Sequence, residues 1–370
     1  MTENAGTRLK NLQNAIDMAD IDCLLISNPQ SIAYYLGAEL EPMERLWLLL
    51  VKRDGDHLLI ANELLQFETE VPIQTITVTD NDDFLSLFEN YDLFPPYGQV
   101  IGVDDIFPAG KLLPLMQHFE RLPFLMAGGL IDRQRALKTP ADMEKMRQAS
   151  ALNDQAMARL IDDILPYGPT EKEACQALKE IYIDLGVDGG FSFEPIVAYG
   201  ANGADPHHLS DDTRPQIGDA IIIDIGCRHQ GFCSDMTRTV YFGDISAANE
   251  KIYRICQEAQ AKGIEMAKKP RVTFAQIDRA CRRYIEKAGF GPQFIHRTGH
   301  FIGQEAHEKG DVSAANKNRL EVGHCFSIEP GIYLPKKTAV RIEDLLMVTD
   351  TGVEVINHYP KELLTITPKE

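Results

Sequence analysis

The sequence predicts an α+β protein with two domains, and three observations lead to this fold class. The chain has 370 residues, which is more than a single compact core normally holds. The first ~130 residues alternate helical and strand patterns in the manner of a small α/β domain. In the remainder, a pair of helices precedes a group of strands twice, which favours helices packed on one face of a curved antiparallel sheet.

The first domain, predicted over residues 1–132, begins with a helix whose apolar residues Leu9, Leu12 and Ile16 recur at helical spacing. Asp54-Gly55 is a typical turn dipeptide, so the apolar segments on either side of it are predicted to form a hairpin. Residues 130–138 are interpreted as the crossing into the second domain. The predicted elements are helices over 7–19 and 83–91, strands over 22–27, 74–79 and 99–103, and a hairpin over 46–60.

The second domain, predicted over residues 133–370, begins with a helix whose first residues show clear capping signals. Thr139 is a capping residue, Pro140 suits the first helical position, and Asp142 completes a capping box. A capping box at Thr170 starts the next helix in the same way. The predicted elements are helices over 140–165, 170–186, 247–268 and 274–288, a hairpin over 221–240 and a strand group over 323–355.

The composition opposes several function classes. With 37 basic and 55 acidic residues, the formal net charge is −18, which disfavours binding to nucleic acid or to anionic membranes. The apolar runs are far shorter than the ~20 residues that a membrane span needs, and the N-terminus lacks the hydrophobic core of a signal peptide. The seven cysteines are scattered without a C-x-x-C motif, which fits a reduced compartment, so we expect a cytoplasmic protein.

The hairpin over 221–240 carries a polar anomaly. Asp224 interrupts an apolar run that starts at Ile221, and interior strands normally exclude a charged residue. Asp235 lies on the second arm, after a polar turn predicted over 228–231, and we expect the two aspartates to pair directly across the hairpin. Two carboxylates so close in an apolar setting repel each other unless one is protonated or a cation lies between them, and we favour the cation.

Three later residues show the same anomaly, a polar side chain in a strand-like segment or between glycines, namely His300, Glu329 and Glu343. Each glutamate alone has an ordinary alternative, an ion pair with an arginine, and Arg341 is close in sequence to Glu343. Taken with the two aspartates, they make a set of four carboxylates and one imidazole. Such a set favours two hard or borderline divalent cations, whose charge offsets that of the acids.

The order of these motifs along the chain resembles a known family. The segments D-I-G, S-D-M-T-R-T, T-G-H-F-I-G-Q-E-A-H-E, I-E-P-G-I-Y and R-I-E-D are similar to those of the pita-bread metallopeptidases, which include methionine aminopeptidase, Xaa-Pro aminopeptidase, prolidase and creatinase. The first domain looks like that of the prolidase and creatinase branch. The resemblance therefore implies a C-terminal pita-bread domain, with helices on the outer face of its curved sheet, and a smaller creatinase-like N-terminal domain.

Carried over residue by residue, the resemblance implies two metal positions. Asp224 and Asp235 hold one divalent ion, and His300 and Glu329 hold the other. Asp235 and Glu343 bridge both ions. We expect Mn²⁺, with Co²⁺, Zn²⁺ or Fe²⁺ as alternatives, because a carboxylate-rich site with one imidazole accepts each of them.

The resemblance also implies catalytic histidines. His207 follows the proline of a glycine-rich segment over 200–212, here named the histidine loop, and His307 lies in the motif E-A-H-E. From the residues alone, a pair of surface histidines is the ordinary interpretation of the loop. The resemblance implies that both histidines hydrogen-bond the substrate and the developing oxyanion. Glu329 is the candidate that accepts a proton from the attacking water and passes it to the leaving nitrogen.

The resemblance implies an Xaa-Pro dipeptidase, similar to bacterial prolidase, that acts on dipeptides with a C-terminal proline. Two divalent ions activate a water near neutral pH, so that it attacks a peptide carbonyl. A proline nitrogen in a peptide bond carries no N–H, so proteases that grip this group lose their contact and a separate enzyme class is needed. The resemblance, and nothing else in the sequence, implies a homodimer.

Five residues are predicted to contact the substrate. Arg45 ends the loop E-P-M-E-R, which resembles the loop that prolidase-like enzymes extend into the partner subunit's active site, where it would cap the dipeptide's carboxylate. Arg297 is a second candidate for this carboxylate, because a guanidinium binds it bidentately, with a structural ion pair as the alternative. Phe193 and Ile196 are candidates for an apolar pocket, with core packing as their alternative, and Arg341 completes the set.

Three positions depart from the family's usual residues. Phe301 replaces a glycine, Gln304 an apolar residue and Tyr199 a small residue. We expect all three to lie beside the site and to narrow the pocket.

Two other functions are weighed against the dipeptidase. The first is an Xaa-Pro aminopeptidase that acts on longer peptides. The second is a metal-free binding domain that keeps the fold but has lost the ligands, and the presence of all five ligand residues disfavours it. A creatinase-like amidinohydrolase is disfavoured for the same reason.

Overall fold

The computed structural model describes residues 4–94 and 99–369. The chain divides into two compact units, Met1–Arg135 and Ala136–Glu370. The sequence prediction instead placed the domain boundary after residue 132.

The first unit is an α/β domain built on a mixed sheet. In its described part, the strand order is β4-β3-β2-β1-β5-β6, with β1 parallel to β5 and antiparallel to β2. The elements are α1 (Ala5–Met18), β1 (Cys23–Ile26), α2 (Pro29–Leu36), β2 (Trp47–Lys52), β3 (Leu58–Asn62), β4 (Gln74–Val78), α3 (Phe84–Asn90), β5 (Ile101–Val103), α4 (Ala109–His118), β6 (Phe124–Met126) and α5 (Gly128–Ala136).

Strand β1 shows why this sheet is buried on both faces. Leu24 and Ile26 pack with α1 and α2 in one core, whereas Cys23 and Leu25 pack with α3 and α4 in another. Because helices cover both faces, the strand is an unbroken apolar run rather than an alternating one.

Three helices of this region were missing from the sequence prediction. The segment 130–138 was interpreted as the crossing between domains, and the boundary between the two units lies within it, but its helix, Gly128–Ala136, was not predicted. The start of helix α2 could have been recognised in the sequence, since Asn28 caps the helix and Pro29 occupies its first position. Helix α4 contains Pro114, a residue that argues against a helix when only the sequence is known.

The second unit contains two helix pairs, each followed by strands. Capping boxes start α6 at Thr139 and α7 at Thr170, as predicted. Helix α6 ends at Arg159 and continues as a π-helical turn, Leu160–Ile164. The elements are α6 (Pro140–Arg159), α7 (Glu171–Asp184), β7 (Ile196–Tyr199), β8 (Ala220–Ile225), β9 (Arg228–His229), β10 (Phe232–Cys233), β11 (Met236–Phe242), α8 (Ala247–Ala267), α9 (Phe274–Lys287), β12 (Gly299–Phe301), β13 (Glu308–Val312), β14 (Cys325–Ile328), β15 (Gly331–Leu334), β16 (Thr338–Arg341), β17 (Asp344–Thr349), β18 (Gly352–Val355) and β19 (Thr365–Ile366).

Each helix pair packs on a sheet of its own. Helices α6 and α7 share a core with β7, β8 and β11, which lie in a sheet of order β19-β11-β8-β7. Helices α8 and α9 share a core with β12 and β14, in a sheet of order β13-β12-β14-β17-β18. The arrangement confirms the predicted α+β class, with a helix pair packed on a sheet twice.

The register of the central hairpin differs from the prediction. Asp224 pairs with Thr237 and not with Asp235. The cause is the turn, which consists of Gln230 and Gly231 alone, both with positive φ (50° and 78°), the pattern of a type I′ turn. The predicted turn, over 228–231, was centred one residue earlier in the chain, so the predicted register was wrong by two residues. A shift of two keeps every side chain on its face of the sheet, and both aspartates therefore still point to one side.

The seven cysteines of the chain are all free. Six of them are buried, and Cys175 on α7 is only partly covered. Burial raises the pKa of Cys175, and Sγ lies 3.3 Å from Oγ of Ser210 on the histidine loop. Among the helices of the described chain, we find none with the length and apolar character needed to cross a membrane.

Candidate metal centre

The five residues predicted as metal ligands line one cavity in the second unit, with a volume of about 700 Å³. They come from separate strands of the two sheets. Asp224 lies in β8 and His300 in β12, while the other three lie next to strand ends: Asp235 before β11, Glu329 after β14 and Glu343 before β17. The two-sheet architecture therefore brings together residues that are far apart in sequence.

His300 lies at the centre of the acidic group. Its Nε2 is 3.4 Å from Oδ2 of Asp235, 3.6 Å from Oε1 of Glu329 and 4.0 Å from Oε1 of Glu343. Its Nδ1 lies 3.1 Å from the carbonyl oxygen of Phe301, which can only accept a hydrogen bond. In the neutral ring, Nδ1 therefore carries the hydrogen, and the Nε2 lone pair faces the carboxylates, as a metal-ligating histidine requires.

The acids of this cluster are incompletely satisfied. Within the described residues, Oδ1 of Asp224, Oδ1 of Asp235 and Oε1 of Glu343 are buried without a hydrogen-bond partner. Burial, reinforced by neighbouring carboxylates, raises the pKa of Asp235 and of Glu343 well above their usual values, and burial raises that of Glu329 to about 7. Unpaired buried oxygens around an imidazole lone pair fit a pair of divalent cations.

We expect the metal-free protein to lose stability as the pH rises from about 6.5 to about 8.5. A carboxyl group whose pKa is raised by folding binds its proton more tightly in the folded state, so its contribution to stability disappears as the pH rises through the raised value. Above about pH 6.5 the loss comes mainly from Asp235 and Glu343, whose pKa values burial raises well above their usual range, whereas Glu329, with a pKa of about 7, contributes only until the pH passes that value. His296 and His307 do not oppose the trend in this window, because burial lowers the pKa of each from 6.5 to about 4, so their opposite contribution ends near pH 6.5, above which they are neutral in both states.

Thermal unfolding of chelator-treated protein across this pH range, with and without added Mn²⁺, measures the effect. Bound cations replace the protons that the acids would otherwise need, so Mn²⁺ should raise the melting temperature most at the alkaline end. A metal-free protein that is equally stable or more stable at the alkaline end would contradict this expectation.

Arg341 pairs with an aspartate of the cluster rather than with Glu343. Its Nη2 donates to Oδ2 of Asp224 at 2.6 Å, and its Nε donates to Oγ1 of Thr237 at 3.0 Å. Glu343 instead accepts a hydrogen bond from Oγ1 of Thr237 at 2.7 Å. The ordinary alternative, in which this arginine neutralises Glu343, is therefore wrong. Arg341 also contributes to the cavity lining.

The two predicted catalytic histidines line the same cavity. The ring of His307 lies 3.9 Å from that of His300. Burial, together with the nearby His300, lowers the pKa of His307 to about 4, so this histidine is neutral at physiological pH. His207 is exposed on the histidine loop, where its backbone N–H donates to Oδ1 of Asp205 at 3.0 Å. Their roles in catalysis remain predictions.

Three of the other predicted substrate residues, Phe193, Ile196 and Arg297, also line the cavity. Arg297 is exposed, and no acidic side chain among the described residues pairs with it, so the structural ion pair considered as its alternative is not seen. Arg45 lies in the first unit, 3.1 Å from Glu44 and 3.8 Å from Asp80 at the closest atoms. Its contact with substrate across a subunit interface stays a prediction.

The three positions that depart from the family pattern do not narrow the cavity. None of them belongs to its lining as far as the chain is described. Phe301 packs against Phe274 in the core, and Tyr199 is buried in the core of α6 and α7. Gln304 accepts a hydrogen bond from Cys233 Sγ through its backbone carbonyl. That expectation was therefore wrong.

His296 is a lining residue that the sequence prediction missed. Its Nδ1 lies 2.6 Å from the carbonyl of Arg297 and must donate, so Nε2 accepts from the hydroxyl of Tyr333 at 3.0 Å. That hydroxyl in turn accepts from Nη1 of Arg341 at 2.9 Å. A chain of hydrogen bonds thus connects His296 through Arg341 to Asp224. The available signal was its position in H-R-T-G-H, four residues before His300.

The comparisons with known proteins agree with this geometry. The model of metallopeptidase family M24 matches residues 144–350, and that of the creatinase/prolidase N-terminal domain matches residues 8–137. An uncharacterized peptidase of Staphylococcus aureus strain MW2 is 32% identical over 356 residues, which are 96% of this chain and 100% of that protein.

Solved structures give the same result for the fold. A prolidase from Thermococcus sibiricus matches with a TM-score of 0.90 at 30% identity, covering 99% of this chain and 100% of that chain. A dipeptidase, PepE, from Mycobacterium ulcerans matches with a TM-score of 0.89 at 32% identity, covering 98% of each chain. These matches confirm the predicted fold class and the resemblance to the prolidase branch.

Proposed function

The chain belongs to metallopeptidase family M24 and is a peptidase, and we propose that it is an Xaa-Pro dipeptidase with two divalent metal ions. The observation that carries the proposal is the set of buried, unsatisfied carboxylate oxygens around the Nε2 lone pair of His300. The similar prolidase and dipeptidase structures favour a dipeptide with C-terminal proline as the substrate.

In this proposal, five residues hold the ions. Asp224 and Asp235 hold one, His300 and Glu329 the other, and Asp235 and Glu343 contribute to both. The ions supply Lewis acidity and an activated water at neutral pH. We propose Mn²⁺ as the native metal, with Co²⁺, Zn²⁺ and Fe²⁺ as alternatives, since the donor set of carboxylates and one imidazole suits each of them.

Side chains of the protein then transfer the proton and stabilise the developing negative charge. Glu329 accepts a proton from the attacking water and returns it to the leaving proline nitrogen. His307 and His207 hydrogen-bond the substrate as its carbonyl oxygen gains negative charge. Because His307 stays neutral, it adds no positive charge next to the ions.

Arg297 is proposed to bind the free carboxylate of the dipeptide. Its Arg297→Met variant is expected to raise KM for Leu-Pro about 10- to 100-fold with a smaller change in kcat, because a charge-assisted contact is worth roughly 1.5–3 kcal/mol. Steady-state kinetics measure this effect. Arg283→Met, on the exposed side of α9, is the matched control and should leave KM unchanged. An unaltered KM in Arg297→Met would assign the carboxylate to another residue.

The function itself is tested by hydrolysis of Leu-Pro, Leu-Pro-Pro and Leu-Gly by the purified protein, with and without added Mn²⁺. Cleavage of Leu-Pro alone, dependent on the ion, supports the dipeptidase. Preference for Leu-Pro-Pro would favour the aminopeptidase alternative. A protein that retains no divalent metal and cleaves none of the three would favour the metal-free binding domain.

Two further parts of the proposal concern the state of the protein. We propose a homodimer, in which Arg45 of each subunit reaches the site of the other, and size measurement in solution tests it. We also propose a cytoplasmic location, which the free cysteines support, because disulfides are rare in reducing compartments.

A further inference from the structure

The histidine loop is tied to one buried carboxylate, that of Glu171. This residue is the first of α7, and its side chain is fully buried. Oε1 accepts hydrogen bonds from the backbone N–H of Tyr199 at 2.8 Å and from Nδ2 of Asn202 at 2.9 Å. Oε2 lies 2.7 Å from Nε2 of His208 and accepts from the backbone N–H of Asp211 at 2.9 Å. A single side chain therefore holds the start, the middle and the end of the loop.

The identity of the donors fixes the chemistry of this contact. The backbone N–H of Tyr199 faces one oxygen and that of Asp211 faces the other, and neither group can become an acceptor. Both oxygens must therefore accept. In the neutral ring of His208, Nε2 is then the donor, and the lone pair lies on Nδ1.

The same group is not suited to a cation. Glu171, His208 and Asp211 offer ligand atoms that lie within 4.8 Å of one another. A carboxylate has about four lone-pair sites, and protein donors already occupy as many on Glu171. An ion would have to displace the backbone N–H groups of Tyr199 and Asp211, which donate to this carboxylate. The cluster is instead an anchor for the loop.

We propose that Glu171 is a positioning residue that presents His208 to the substrate with Nδ1 as a hydrogen-bond acceptor. His208 lines the same cavity as His207, so the loop contributes two histidines to the site, whereas the family resemblance implied only His207. The inference rests on the proposed peptidase site in this cavity. Glu171 itself acts through the loop and does not contact the substrate.

Glu171→Gln is the sharpest variant, because it preserves the shape of the side chain. An amide has one oxygen and one NH2 group, so one of the two backbone N–H donors must face another donor. We expect kcat/KM for Leu-Pro to fall about 10- to 100-fold, mainly through KM, with an unchanged content of bound metal. Glu173→Gln is the matched control on the same turn of α7. Its side chain is half exposed and caps Thr170, a role that glutamine retains, so kcat/KM should stay within about twofold.

A double-mutant cycle with His208→Gln tests whether Glu171 acts through the histidine. If it does, adding Glu171→Gln to His208→Gln should reduce kcat/KM much less than Glu171→Gln does in the wild-type background. Full additivity of the two changes would overturn the proposal. Equal activity of Glu171→Gln and wild type would overturn it as well.

The tautomer of His208 can be read without any activity. In ¹⁵N-histidine-labelled protein, the long-range ¹H–¹⁵N spectrum distinguishes the protonated from the unprotonated ring nitrogen, and the signal missing from His208→Gln gives the assignment. We expect hydrogen on Nε2 only, and a His208 that carries hydrogen on Nδ1, with or without hydrogen on Nε2, would refute the inference even if Glu171→Gln fails to fold. If the wild-type protein cleaves no proline peptide, the proposed function fails while this measurement still decides the role of Glu171.

Discussion

Replacing Asp235 with asparagine is expected to reduce kcat/KM for Leu-Pro at least about a thousandfold, because the proposed metal centre would supply several kcal/mol of transition-state stabilisation. Asp235 is buried, its Oδ1 has no hydrogen-bond partner in the described structure, and its Oδ2 lies 3.4 Å from Nε2 of His300. Asparagine removes the charge and turns one ligand oxygen into an NH2 group that cannot bind a cation. The variant should therefore also bind less metal.

Metal content by mass spectrometry, measured together with kcat/KM, separates this cause from a loss of fold. Asp188→Asn is the matched control, because Asp188 is half exposed and pairs with His229 outside the cluster. Asp235→Asn should, in addition, unfold no more easily than the wild type when both are metal-free, since it removes a buried ionisable group whose Oδ1 has no hydrogen-bond partner in the described structure. Full activity with two equivalents of metal in Asp235→Asn would rule out the proposed ligand set.

Arg238→Leu is expected to destabilise the protein by about 3–5 kcal/mol, because it leaves Oδ1 of Asp344 and the carbonyls of Glu343 and Tyr359 without their buried donor, while Lys361 still pairs with Oδ2 of Asp344. Arg238 is almost fully buried, and its Nη2 donates to Oδ1 of Asp344 at 2.8 Å and to the carbonyl of Tyr359 at 2.7 Å. Its Nη1 donates to the carbonyl of Glu343 at 2.6 Å. The side chain thus joins β11 to the residues that start β17, next to a proposed metal ligand.

Urea unfolding of the metal-free protein measures this effect without a contribution from bound ions. Arg254→Leu is the control, because Arg254 forms an ion pair with Glu250 in which both side chains are about half exposed. Such a pair is worth at most ~1 kcal/mol. If the two leucine variants unfold at the same urea concentration, the buried network around Arg238 does not hold the strands as described.

The proposed ligand set could be inferred from the sequence because each of its residues breaks a local rule. Asp224 lies in an apolar strand, and His300 and Glu329 lie among glycines and apolar residues, where an unpaired polar group is costly. Their convergence on one cavity needed the family resemblance, since pairing between distant strands cannot be read from spacing. The register error in the hairpin was harmless for a physical reason, because side chains on a strand alternate and an even shift preserves the face.

Other features depend on packing that no local pattern encodes. Phe301 was expected in the pocket but packs with the aromatic rings of the helix-facing core, and the direction of a side chain from a short strand with a bulge is set by its neighbours. His296 and His208 were missed as cavity residues, because a histidine in a polar loop is most often a surface residue. The anchoring role of Glu171 is visible only once the loop is seen to fold back on α7.

Cys175 is only partly buried, so a fluorescent reporter can be attached to its thiol without changing any residue. The other six thiols are buried, so a maleimide dye should react with one equivalent of native protein, slowly, because the thiol is seldom ionised at neutral pH. Sγ contacts the histidine loop through Ser210. A dye at this position would therefore respond to movement of the loop when a peptide binds, and it would permit rapid-mixing measurements of substrate entry.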